Sequence, residues 1–101
     1  MTDTPPDLTG SGPPSEPFAL REEDLNWRVI GDELIVLDLR AGTYLSVNAS
    51  GMLLWNLIAE GPATRSALVT HLAESYAISE ETARRDVDAF ITLLAEHGFF
   101  A

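Results

Sequence analysis

Thr43-Tyr44-Leu45-Ser46-Val47-Asn48-Ala49-Ser50-Gly51-Met52-Leu53-Leu54-Trp55-Asn56-Leu57-Ile58-Ala59 begins as an uncharged strand and ends as a helix that is apolar nearly all round. Its first five residues include two β-branched side chains and one aromatic, carry no charge, and suit an extended, half-buried segment. Asn48 then suits a helix N-cap, because its side chain can accept from the free amides of the first turn. Met52, Leu53, Leu54, Trp55, Leu57, Ile58 and Ala59 cover so much of the circumference that this helix must be central. Gly61, suited to the left-handed position after a helix, and Pro62 end it. Asn48-Ala49-Ser50 also matches a glycosylation acceptor, but no secretion signal accompanies it and a cap is the better reading.

Upstream, Leu25, Trp27 and Val29 share one face of an extended segment while Asn26 and Arg28 take the other, the period of a half-buried strand. Gly31-Asp32 supplies a turn. Leu34-Ile35-Val36-Leu37, ending at Asp38, is a short apolar run of the kind found in strands covered on more than one side. A second turn, Arg40-Ala41-Gly42, leads into Thr43. Connections this short imply an antiparallel meander with the second strand in the middle and the first and third as edges. Downstream, Thr64 caps a second helix with the stripe Leu68, Val69, Leu72 and Tyr76. Ser79 caps a third, with Glu80 and Glu81 in the first turn where the helix dipole favours negative charge. The third stripe is Ala83, Val87, Phe90, Ile91 and Leu94; Gly98 stops it, and Phe99 and Phe100 fold back onto the core. The fold class expected is α+β, a winged-helix-like domain of a three-stranded antiparallel meander followed by three helices.

The chain has 101 residues, 46% of them hydrophobic, enough for one modest core and not two. Residues 1–24 hold five of the six prolines and six of the sixteen acidic residues, so they read as a disordered tail ahead of a folded domain at 25–101. The net charge is −10, with arginine as the only basic residue apart from two histidines, which argues against general affinity for phosphate backbones. Without cysteine, disulfides and thiol chemistry are excluded. No secretion signal and no run of eighteen apolar residues is present, and a cytoplasmic protein without membrane contact is expected.

Residues able to do chemistry are sparse. His97 falls at the end of the third helix, where a cation suits the dipole. His71 and Glu74 share one helix face but have no third or fourth ligand spaced to join them, so a metal site is not expected. No glycine-rich phosphate cradle occurs, and no cofactor is expected. Arg84-Arg85 is the one basic cluster, and it carries the alternative reading of a winged-helix regulator whose third helix enters DNA. Asp86, Asp88, Glu80 and Glu81 flank it and weigh against nucleic acid as a partner.

The third strand is an edge without a charged side chain, able to accept another strand, whereas Arg21-Glu22-Glu23-Asp24 ahead of the first strand is a charge run of the kind that blunts an edge. Val36-Leu37-Asp38, Gly42-Thr43-Tyr44, Val47-Asn48, Gly51, Leu54-Trp55, Ile58, Gly61, Tyr76, Asp86-Val87, Leu94 and Gly98-Phe99, in that order and spacing, resemble the PqqD-like family. The resemblance spans residues 25–101. It implies a leader-peptide recognition element of a ribosomally made, post-translationally modified peptide pathway, which is not an enzyme and delivers a precursor peptide to a modifying enzyme. It also implies that the leader pairs with the third strand, at Thr43, Tyr44, Leu45, Ser46 and Val47, and lies beside the third helix. Departures from the signature of the pyrroloquinoline quinone protein itself point to another pathway, for instance a lasso-peptide one. Two flanks of the third helix are open to the peptide: Arg84, Asp88 and Ile91, or Arg85, Ala89 and Leu93. The second is favoured because Leu93 is apolar yet lies off the core stripe. The same edge can pair with its own copy, giving a homodimer.

Overall fold

A computed structural model describes residues 16–101. Three strands come first, β1 (Leu25–Ile30), β2 (Glu33–Asp38) and β3 (Thr43–Val47); three helices follow, α1 (Ala49–Glu60), α2 (Arg65–Tyr76) and α3 (Glu80–Glu96). The strands form one antiparallel sheet in the order β1-β2-β3, as the short turns require. Gly31 and Gly42 close those turns with positive φ, 63° and 73°, where a side chain would be strained. Register places Trp27, Val36 and Leu45 across one another, and likewise Val29, Leu34 and Val47. These residues share the face turned to the helices.

Each helix starts at the cap its sequence offers. Asn48 Oδ1 accepts from Gly51 N at 3.0 Å, Thr64 Oγ1 from Ala67 N at 3.1 Å and Ser79 Oγ from Thr82 N at 3.1 Å. α1 buries Leu54, Trp55 and Ile58 against Leu68 and Leu72 of α2, Val87, Phe90 and Leu94 of α3, and Leu34 and Val36 of the sheet. Trp55 is fully buried, with Trp27 and Phe99 edge-on to it at 5.3 and 6.0 Å, and its indole N–H has no acceptor among the described residues. Phe99 folds back into the core as expected, and Phe100 packs at its margin. No helix among the described residues is long and apolar enough to cross a membrane.

Several expectations need correction. The boundary drawn at residue 24 cuts through packed structure: Phe18 is 1% exposed and Leu20 9%. This segment runs as a strap, pairing Phe18 with Ala63 and Leu20 with Phe100, with Phe18 stacked on the Phe100 ring at 5.5 Å. Residues 1–15 of the expected tail lie outside the described residues. Arg21 does not blunt the β1 edge, because it turns inward to Asp38. On β1, Leu25 is buried but Val29 is exposed and Trp27 partly so, since the helices cover the sheet mainly over β2. β2 is likewise covered on one face only; Leu37 points out and is 42% exposed. Tyr76, placed in the α2 stripe, sits at the helix end and is exposed. Gly61 ends α1 in extended backbone (φ 165°), not in the left-handed region.

Candidate functional site

β3 pairs with β2 on one side, and among the described residues its other side has no backbone partner. In an antiparallel strand alternate residues direct both N–H and C=O to the same side, so this free side presents a row of donors and acceptors. Thr43, Tyr44 and Ser46 are exposed, Leu45 is half-buried and Val47 is buried. No ionised side chain stands on the strand; on β2 the Glu33 carboxylate accepts from Ser46 Oγ at 3.3 Å.

Where β3 runs into α1, a groove of about 240 Å³ opens between this junction and α3. Ser46, Val47, Asn48, Ser50 and Gly51 form one wall, Asp86, Ala89, Phe90 and Leu93 the other, and Leu54 and Leu72 reach it from the core. The volume lies below the roughly 300–1,000 Å³ of small-molecule sites and suits one or two side chains. Gly51 keeps the groove narrow. A Cβ at this position would stand 2.4 Å from Val47 Cγ1 and 3.1 Å from the Phe90 ring, so only glycine lets α1, β3 and α3 come this close.

Two of the three residues of the favoured α3 flank therefore meet here. Ala89 and Leu93 line the groove, but Arg85 does not, and Asp86 takes the place expected of it. Helix geometry explains the exchange: steps of four residues drift by about 40° each, whereas a step of seven returns to within about 20°, so Leu93 shares its face with Asp86 and not with Arg85. The signal was the i, i+3, i+4, i+7 spacing of Asp86, Ala89, Phe90 and Leu93. On the other flank Arg84 Nη2 lies 3.4 Å from Glu80 Oε1, and Asp88 faces Arg65 at 3.3 Å without an aligned hydrogen bond. With Arg84 paired and acidic residues beside it, α3 offers no continuous basic face for a nucleic acid. Among the described residues, no three histidine or carboxylate side chains gather as metal ligands.

The β2–β3 turn that launches the open strand is held by Asp38. Its Oδ1 accepts from Arg21 Nη2 at 2.7 Å and from the amides of Arg40 and Ala41 at 3.1 Å each. Arg21 also donates to the carbonyls of Gly98, Glu23 and Asp24. Burial alone would raise the Asp38 carboxyl, but the Ala41 amide, the Arg21 guanidinium and the Arg40 amide together outweigh it and hold the group below the ordinary aspartate value. A second hollow, about 320 Å³, lies on the β1 side between the strap and the end of α1, lined by Leu20, Arg21, Glu22, Leu25, Trp27 and Ile58 among others. It is the larger of the two, yet β1 carries Arg28 in the strand and the hollow carries both signs of charge. The uncharged edge and its groove are the better-formed site.

Comparison with known proteins places this geometry. Two solved structures share the fold. TbiB1 in complex with the TbiA(beta) leader peptide is 27% identical, with a TM-score of 0.73 over 81% of this chain and 93% of that one. Lasso peptide synthetase B1 complexed with the leader peptide is 25% identical, with a TM-score of 0.71 over 84% and 98%. No curated protein matches the sequence. The family described as coenzyme PQQ synthesis protein D (PqqD) matches residues 33–99, which run from the start of β2 to Phe99 and take in β3, Gly51 and the whole of α3. Matched across residues 33–99, which include every element that builds the groove, the chain belongs to the PqqD family.

Proposed function

We propose that this protein binds the leader segment of a ribosomally made precursor peptide as an added strand on β3, holds its side chains against α3, and presents it to a modifying enzyme without doing chemistry itself. The observation that carries this reading is the open, uncharged β3 edge lying directly beside an apolar groove. Strand addition takes affinity from main-chain hydrogen bonds and specificity from pockets for alternate side chains, and both parts are present. The two leader-bound neighbours support the choice of ligand.

The test is a titration with a synthetic leader segment of a precursor peptide. Micromolar or tighter binding is expected, with amide shifts concentrated at residues 43–47. One of the consecutive residues Leu45 and Ser46 directs its N–H away from β2. Proline there removes a donor to the guest strand and weakens binding by roughly 3- to 10-fold, whereas proline at the other position removes a bond to β2 and lowers stability. Absence of heat together with unmoved amides at 43–47 sinks the reading.

A further inference from the structure

Among the described residues, Asp86 is the only ionised one on the groove walls. Its carboxylate is exposed and makes no ion pair or side-chain hydrogen bond among the described residues. Arg85, its neighbour in sequence, does not line the groove, and adjacent helix positions do not face each other. Opposite stand the neutral side chains of Ser46, Asn48 and Ser50, with Glu33 as the next charge beyond Ser46. The described residues hold fourteen acidic side chains against all six arginines, a net −8, so the surface around the groove is acidic on balance.

Spacing then fixes what a guest strand must carry. Asp86 lies one helical turn before Phe90, about 6 Å along α3. Same-face residues of an extended peptide repeat at about 6.6 Å. For a guest strand running along α3, a bulky apolar side chain seated against Val47, Phe90 and Leu93 leaves the residue two positions away over the Asp86 carboxylate. Building on the strand-addition reading, we propose that the groove selects peptides in which a large apolar residue is paired, two positions along, with lysine or arginine, and that Asp86 is the residue that reads the cation. Aspartate or glutamate at that position is repelled.

The experiment uses the full chain as bait for a phage-displayed library of random 12-residue peptides, followed by synthesis of the most enriched sequence. Selected peptides should carry an apolar residue and a lysine or arginine at i±2. Replacing that basic residue by glutamine should weaken binding to the wild type by about 2- to 5-fold. The same replacement should have no effect on Asp86→Asn, and the difference should shrink in about 0.5 M salt. Asp86→Arg should turn the selection towards acidic residues at the same position. Asp86 is exposed on a helix, so both variants should keep the wild-type thermal melt. Peptides that shift the amides of residues 43–47 but show no basic enrichment, or lose equally against Asp86→Asn, overturn this inference and leave strand addition standing. Peptides that bind without moving those amides overturn both.

Discussion

Gly51 is the residue on which the groove turns, because a side chain there would collide with Val47 and Phe90. Alanine would gain about 1 kcal/mol in helix propensity but would force a methyl into occupied space, at about 1–3 kcal/mol. Gly51→Ala should therefore lower stability to urea by about 1 kcal/mol net and displace the Val47 methyl resonances. A variant as stable as wild type, with Val47 unmoved, would show that the groove wall yields freely. The flank of α3 was legible as far as Ala89 and Leu93. Arg85 was carried along because the row was drawn in steps of four, and over two such steps the face rotates away.

Among the elements, the strap at residues 16–24 was the least legible and contributes most beyond expectation. Prolines, glycines and acids dominate the average over residues 1–24 and conceal Phe18 and Leu20, whose i, i+2 spacing is the period of a strand buried on one face. With Phe18 in the core and its backbone bonded to Ala63 in both directions, at 2.7 and 3.0 Å, Phe18→Ala should cost about 3–5 kcal/mol in urea denaturation. A loss under 1 kcal/mol would return the strap to the status of a tail. The meander and the three capped helices could be read because turn glycines, cap residues and apolar periods each act locally. How far the helical layer extends over β1 could not, since alternation tells which residues share a face and not whether anything covers them.

At the level of the whole molecule, Arg21 and Asp38 tie the strap, the β2–β3 turn and the end of α3 into one node. A carboxyl held below its unfolded value stabilises the fold above about pH 4 and loses that contribution as the pH falls towards its folded value. The melting temperature should thus drop below about pH 4, and the drop should be shallower in Asp38→Asn, which has no such proton to bind. Equal slopes in the two proteins would remove Asp38 as the source. Composition indicated one acidic domain, but this long-range link was invisible because its partners lie seventeen positions apart with no local period between them.

The amide of Ala101 bonds the carbonyl of Ala19 at 2.8 Å, so the strap and the segment after α3 run side by side. Tension applied to the protein through those two segments would be borne first by the Leu20–Phe100 bridge and the backbone bonds beside it. The strap feeds β1, at the opposite margin of the sheet from β3, so such a pull reaches the open strand through the Arg21–Asp38 contact and two rows of strand pairing.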